Sequence, residues 1–375
     1  MSGLDTAVIG AAIRPDVSDR GICLEELLHE VVKDALADAG VRFEDIDGIV
    51  VAGNDQYDGR AITVMAASGS VGGVGRDIIS TPSASEHAFV MGALRVQSGL
   101  FATQLVVSWS PMEADSLEEV QRLASDPYFH RALPLDELSA HALQASALEA
   151  DVPGLRPLAA KIAARSRNPR DPSGVAPIPL RWPLTDELVA PATCGAVAIV
   201  LASKTFIDDR RIARCAWIDG MGWATEPSYL GDRDLSKAPA LVAACKRAYE
   251  QAGIVTPIAS FDIAELSNVT PYQELLAYEG LGLADRAYWE DRVADGTFAL
   301  GGALPVNVSG GAQRANPVFC VGLRSIAEVA DRIRGPAGVP QPKTVRRGLA
   351  HAASGPAMQY QTVVVLSGGA VGAAA

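Results

Sequence analysis

The 375-residue sequence predicts a mixed α/β protein in which helices and strands alternate in layers. An amphipathic helical pattern covers residues 24–40, stops at a glycine, and is followed by an apolar run at 49–52 that is typical of a buried strand. The same order returns later, with a helical pattern over 237–253 that also stops at a glycine, then the apolar segment 261–266. This echo favours two similar halves.

The other predicted elements complete both halves. A core strand is expected at residues 5–12, before the first helix. The remaining predicted elements are, in chain order, a short apolar run at 78–81, a helix that ends at Gly99, a strand at 105–107, a looser helical segment over 114–180, strands at 188–203 and 214–220, a helix at 321–334, and a last loop from 348 that leads into a strand at 362–366.

Composition narrows the class of protein. A hydrophobic fraction of 49% with 20% charged residues is typical of a globular chain, and the net charge of -12 argues against a nucleic-acid or anionic membrane surface. The N-terminus shows no basic signal region and no apolar run is long enough to span a bilayer, so we expect a cytoplasmic protein. The cysteines lack CxxC spacing and are interpreted as buried thiols without a disulfide or metal site; they are Cys23, Cys194, Cys215, Cys245 and Cys320.

The segment from 78 to 99, IISTPSASEHAFVMGALRVQSG, combines a turn of small residues with a buried helix. Ser83 and Ser85 suit the capping of that helix. A serine hydroxyl is a poor nucleophile without a base, and the nearest imidazole along the chain belongs to His87, four residues after Ser83.

Two motifs in the second half match a known pattern. Residues 264–283 read AELSNVTPYQELLAYEGLGL, and residues 307–322 read NVSGGAQRANPVFCVG. Together with the turn before the helix that ends at Gly99, they resemble the thiolase superfamily, and most closely its branch allied to sterol-carrier-protein thiolases. The resemblance extends over nearly the whole chain.

The resemblance implies a thiolase fold, with two pseudo-duplicated α/β halves in an α-β-α-β-α arrangement. The first half would comprise residues 1–113 and 181–204, and the second half residues 205–375. Residues 114–180 would form a helical loop subdomain over the substrate.

The reacting positions of the family are replaced in this chain. The nucleophilic cysteine aligns with Pro82 or Ser83, an alternative that the alignment leaves open. The family's remaining groups, a histidine and its neighbouring aspartate, a second histidine and a second cysteine, align in that order with Ser267, Asn268, Asn316 and Ala353. These residues supply neither a thiolate nor a general base, so standard Claisen chemistry by this chain is not expected.

One hypothesis is an enzyme of altered mechanism that makes or breaks a carbon–carbon bond in an acyl-CoA thioester, as a thiolase-like aldolase does in the breakdown of a fatty-acid-like, steroid or aromatic side chain. Related aldolases are thought to use tyrosines as proton carriers. The candidate catalytic residues are Tyr272, Tyr360, His351 and Ser83. The resemblance also implies candidate contacts to substrate or CoA at Gly310, Gly311, Gly355 and His87. Coenzyme A would enter as part of the substrate, with no tightly bound cofactor.

The second hypothesis is a catalytically inert subunit that supports an active thiolase-like paralogue. The fold forms dimers readily, so either a homodimer or a heterodimer is expected. Relatives of this branch also work with a small zinc-ribbon/OB-fold partner, which the resemblance implies here. Whether this chain is itself catalytic stays open at this point.

Overall fold

The computed structural model describes residues 4–18, 20–59, 61–82, 84–110, 116–133, 135–166, 177–335 and 345–369. The strands in these segments are β1 (Thr6–Arg14), β2 (Gly48–Ala52), β3 (Asp77–Thr81), β4 (Thr103–Trp109), β5 (Ala196–Ser203), β6 (Ala216–Thr225), β7 (Ile263–Glu265), β8 (Arg347–Ser354) and β9 (Tyr360–Ser367).

The α-helices in the same segments vary from single turns to 16 residues. They are α1 (Leu24–Ala39), α2 (Asp55–Asp58), α3 (Thr63–Ser70), α4 (Ser85–Gln97), α5 (Leu117–Ala124), α6 (Glu137–Asp151), α7 (Arg156–Ser166), α8 (Lys204–Arg210), α9 (Pro239–Ala252), α10 (Pro257–Ser260), α11 (Pro271–Gly280), α12 (Trp289–Ala294), α13 (Gly311–Arg314) and α14 (Val321–Arg334).

The strands join in the order β3-β2-β4-β5-β1-β6-β9-β8-β7. The order repeats about the β1–β6 contact, because the antiparallel pairs β1–β5 and β4–β5 correspond to β6–β9 and β8–β9, and the parallel pair β2–β4 corresponds to β7–β8. A parallel bridge between Ala264 and Val306 stands where β3 stands in the first half. The predicted duplication is therefore present in the topology.

Three apolar clusters define the layers. One lies between α1 and the first half of the sheet, and another between the second half and the helices α9 and α11. The third lies between the two halves, around α4 and α14. This arrangement confirms the predicted α-β-α-β-α layering. The division of the chain into the three predicted segments stays a prediction.

In each half, the outer helix packs directly against a glycine of the neighbouring strand. Gly10 of β1 lies against α1, where an added Cβ would be 2.5 Å from the Ala35 carbonyl oxygen. In the second half, a Cβ on Gly222 of β6 would be 1.9 Å from the Ala244 carbonyl oxygen of α9. Glycine at these positions lets each outer helix contact the strand backbone directly.

Gly222→Ala is expected to lower the free energy of unfolding by about 1–3 kcal/mol, because the new methyl group meets backbone that cannot rotate away. Urea unfolding would measure the change. Gly69→Ala is the control, since nothing lies within 4 Å of a Cβ built there. Equal stability of the Gly222 variant and wild type would contradict the close packing of α9 on β6.

Most predicted elements are confirmed, and the differences have local causes. The predicted strand at 188–203 is regular only from Ala196, and the predicted last loop is wrong, because residues 347–354 form β8. The sequence of β8, RGLAHAAS, lacks the β-branched residues that mark strands. Buried thiols were also expected throughout, yet Cys23 is exposed beside the start of α1, and Cys194 is only half-buried.

No helix in the described segments is long and apolar enough to cross a bilayer. Within the same residues, no group of three or more histidine, cysteine, aspartate or glutamate side chains is placed to hold a metal ion.

Candidate functional site

A cavity of about 430 Å³ opens where the two halves of the fold meet. Its wall comprises the turn before α4, the ends of β8 and β9, the start of α14, and part of α5 and α6. This volume lies within the range of small-molecule sites.

Three positions at which the family holds its reacting groups meet at this cavity. Pro82, Asn316 and Ala353 all line it. Ser83, the alternative nucleophile position, lies outside the described residues. The three positions therefore lie together, and the side chains there are a ring, an amide and a methyl group; their correspondence to the family's reacting positions stays a prediction.

Asn316 holds its place through its backbone, which accepts a hydrogen bond from Thr193 N at 2.8 Å and donates to Pro191 O at 3.3 Å. Its side chain is different, because the buried Oδ1 has no hydrogen-bond partner among the described residues. A buried amide oxygen without a donor is costly, so it marks a position where a ligand can donate a hydrogen bond.

The start of α4 and the turn end of the β8–β9 hairpin converge at the cavity. Ser354 and Tyr360 are register partners across the hairpin. Ser354 Oγ donates to Glu86 Oε1 at 2.6 Å, and the Tyr360 ring packs edge-on against His87 with 5.4 Å between ring centroids. Glu86, Ser354, Tyr360 and the neighbouring Gly355 line the cavity.

A second polar group on the wall comes from the helical segment. Glu137 of α6 accepts hydrogen bonds from Tyr57 Oη at 3.3 Å and Gln121 Nε2 at 2.9 Å. Burial raises the pKa of Glu137. Burial, together with the nearby Glu137 charge, also raises the pKa of Tyr57. This carboxyl group therefore takes up a proton more readily than an exposed glutamate.

The remaining ionisable groups of the wall are Asp136 and His141. Burial works against the charge of Asp136, but hydrogen bonds from Ser139 and the nearby Arg181 lower its pKa overall. Burial lowers the pKa of His141 to about 4, so the imidazole is neutral at pH 7, with Nδ1 beside Gln273 Nε2 at 3.1 Å. No lysine or arginine occurs among the described residues of the wall.

Two of the predicted catalytic residues lie elsewhere. Tyr272 is fully buried, and its hydroxyl donates to Glu149; burial, followed by the effect of Glu149, raises the pKa of Tyr272. His351 is also fully buried, with Nε2 2.8 Å from Gln361 Oε1, and burial lowers its pKa to about 4. Neither residue lines the cavity, so of Tyr272, His351 and Tyr360 only Tyr360 reaches it.

The other replaced positions belong to a buried network behind the cavity. Glu274 accepts hydrogen bonds from Arg165, Tyr278, Asn307 at 2.7 Å and Asn268 at 3.2 Å. Ser267 is buried with its hydroxyl unpartnered among the described residues.

Gly310 and Gly311 lie beside this buried network. Both have positive φ, and a Cβ on Gly311 would be 2.5 Å from Asn268 Oδ1. Asn268 Oδ1 also accepts from Ala312 N at 2.8 Å. Neither glycine lines the cavity, and their predicted contact with substrate or CoA stays a prediction, as does that of Gly355 and His87.

Sequence reasoning missed Tyr57, Asp136, Glu137 and His141. Tyr57 lies in the single turn α2, and the other three lie in the first part of α6 or at its cap, with no motif around them; only the fold brings the four together at one cavity. Asp136 carried one readable signal, since an aspartate just before an amphipathic run is typical of a helix cap.

Comparisons with known proteins agree with this architecture. A family model described as Thiolase C-terminal domain-like matches residues 223–368. The acetyl-CoA acetyltransferase of Methanothermobacter thermautotrophicus is 28% identical over 164 residues, which cover 43% of this chain and 42% of that protein. Human sterol carrier protein 2 is 30% identical over 167 residues, which cover 43% of this chain and 30% of that protein. The matched part thus spans less than half of these relatives.

Two solved structures share the fold over nearly the whole chain. The Ltp2-ChsH2(DUF35) aldolase has a TM-score of 0.80 at 20% identity and covers 98% of both chains. A monomeric SCP2-thiolase like protein type 1 from Mycobacterium smegmatis has a TM-score of 0.68 at 18% identity and covers 98% of this chain and 78% of that one. With the family match over residues 223–368 and the curated relatives, they show that the chain has a thiolase-like fold and is similar to the sterol-carrier-protein thiolase-like branch of the thiolase superfamily.

Proposed function

We propose that the chain binds an acyl-CoA thioester in the cavity and takes part in carbon–carbon bond chemistry, with retro-aldol cleavage of a β-hydroxyacyl thioester as the reaction that fits best. The observation that carries this proposal is the identity of Pro82, Asn316 and Ala353 at the reacting positions around the cavity. A proline and an alanine cannot hold an acyl group, and an asparagine cannot act as a base.

Retro-aldol cleavage needs no acyl-enzyme. The β-hydroxyl proton leaves to a base, the Cα–Cβ bond breaks, and its electron pair moves into the thioester enolate while a new carbonyl forms. A proton then adds to the α carbon, which gives a shortened acyl thioester and an aldehyde or ketone. The site must therefore accept one proton and supply one. Tyr360 at the cavity wall is the candidate donor.

A second subunit is part of the proposal. The Ltp2-ChsH2(DUF35) aldolase is named for two components, and this supports a small partner of the zinc-ribbon/OB-fold kind beside this chain. The described wall offers no lysine or arginine for the phosphates of CoA, so a partner that supplies cations would complete the binding of the thioester.

The test is turnover of a panel of β-hydroxyacyl-CoA and β-ketoacyl-CoA thioesters, by the chain alone and with candidate partners, with mass spectrometry of the products. We expect cleavage of β-hydroxyacyl substrates, and a loss of about 100-fold in kcat in Tyr360→Phe, because the phenol is removed and the ring retained. The kcat of Tyr272→Phe is measured in parallel, because the Tyr272 hydroxyl donates to Glu149 and does not line the cavity. Thiolytic cleavage of β-ketoacyl substrates by the chain alone would contradict the retro-aldol assignment.

The replacement of all the described reacting positions also favours a second candidate, an inert subunit beside an active thiolase-like paralogue. The same panel separates the two. Activity that appears only in a mixture with the paralogue and is unchanged by Tyr360→Phe would assign the chemistry to the other subunit.

A further inference from the structure

We propose that Glu86 is the base of this cavity, the group that accepts the β-hydroxyl proton of the substrate. The inference rests on the proposed retro-aldol function and assigns its missing proton acceptor. It comes from the burial and the surroundings of this carboxylate.

Glu86 is a buried carboxylate without a cationic partner among the described residues. Its exposed fraction is 1%, it lines the cavity, and the ion pairs of the described chain do not include it. The buried carboxylate of Glu274, by contrast, is paired with Arg165. Burying an unpaired carboxylate is unfavourable, and such groups concentrate at functional sites.

The surroundings of Glu86 hold the carboxylate in one orientation. Ser354 Oγ donates to Oε1 at 2.6 Å from the end of β8. The other oxygen, Oε2, lies against the start of α14, where a Cβ added to Gly322 would be only 2.3 Å away. A glycine at that position leaves the space that the carboxylate occupies.

The candidate proton donor Tyr360 is linked to Glu86 through two neighbouring residues. Ser354, which bonds Glu86, is the register partner of Tyr360, and His87, which follows Glu86, packs against the Tyr360 ring. In the proposed step, Glu86 takes the hydroxyl proton as the Cα–Cβ bond breaks. Tyr360 gives a proton to the α carbon of the enolate, and proton transfer from Glu86 through solvent restores the phenol.

The other carboxylates of the wall are poorer candidates. Both oxygens of Glu137 already accept hydrogen bonds, from Tyr57 and Gln121. Asp136 caps α6 by accepting from Ser139 N at 2.6 Å. Glu86 is also the only one of the three on α4, the helix that follows the family's nucleophile turn.

Glu86→Gln is expected to lower kcat about 100-fold or more, with KM within about threefold of wild type. Glu265→Gln is the matched control, because Glu265 is also 1% exposed but does not line the cavity. Ser354→Ala keeps the base but removes the hydrogen bond that orients it, and should lower kcat less than Glu86→Gln does. A Glu86→Gln enzyme with wild-type kcat would overturn the proposal.

Direct binding gives a second readout that needs no turnover. Calorimetry with a β-hydroxyacyl-CoA and its 3-deoxy analogue should show about tenfold tighter binding of the hydroxyl compound to wild type, and equal binding of the two to Glu86→Ala. If wild type and Glu86→Gln cleave the substrate equally well, the role of Glu86 is refuted and the proposed retro-aldol function still stands. Wild type that neither binds nor cleaves these thioesters would refute both.

Discussion

Glu274→Ala should lower the free energy of unfolding by about 3–5 kcal/mol, a large part of the stability of an ordinary domain. The carboxylate is fully buried, and it accepts from Arg165, Tyr278, Asn307 and Asn268. Its removal leaves a guanidinium and three polar groups without their acceptor in the interior. Urea unfolding followed by circular dichroism would measure the loss.

Two further variants make this expectation specific. Glu250→Ala removes an exposed glutamate that pairs with Lys246 at 3.9 Å and should change stability by less than about 0.5 kcal/mol. The double variant Arg165→Met with Glu274→Met should be more stable than Glu274→Ala, because it removes both charges together. A double variant less stable than Glu274→Ala would contradict a charge-based origin.

The contribution of Glu265 should make stability fall as the pH rises from about 5 to 8. Burial, with the nearby Glu328 charge, raises the pKa of Glu265 to about 7, whereas its usual value is 4.5. At a pH between 4.5 and about 7, the folded chain holds a proton on Glu265 that the unfolded chain has lost. A rise in pH therefore favours unfolding. The Ser309 amide and hydroxyl and the nearby Arg324 offset only part of the effect of burial.

Glu265→Gln should flatten this dependence. The variant keeps the shape of the side chain without its charge, and it should be more stable than wild type at pH 8 by up to about 3 kcal/mol, but not at pH 5. Thermal unfolding at both pH values would show the difference. A parallel decline of wild type and variant with pH would assign the dependence to other groups.

The sequence allowed much of the fold to be predicted, because its strongest signals are local. The helix from Leu24 to Gly40 and the helix from Val321 to Arg334 show clear 3.6-residue periodicity, and both are present within a residue of the prediction. Strand β8 was missed because its alanines and glycine carry little strand preference. Its place in the sheet comes from pairing with β9, a contact that periodicity within β8 cannot reveal.

In the candidate site, too, the residues within motifs could be predicted from the sequence, and the residues defined by distant contacts could not. Pro82, Asn316 and Ala353 could be placed from motifs that surround them, and they do meet. Tyr272 was a candidate because it lies in a motif, yet its hydroxyl is directed at Glu149. Glu86 has the sequence context of a solvated or hydrogen-bonded residue at a helix start. Its burial and its contact with Ser354, 268 positions away in the chain, distinguish it from an ordinary surface glutamate.

The meeting of α4 and α14 has a consequence for charge in the cavity. The two helices begin side by side, where Leu323 N donates to Ser85 Oγ at 3.0 Å, and Ala84 and Val321 at their first turns line the cavity. Aligned peptide dipoles place about half a positive charge at the start of each helix. Backbone alone thus favours negative charge here, on Glu86 or on an enolate oxygen. Because this field needs no titrating side chain, it persists where the family's histidines have been replaced.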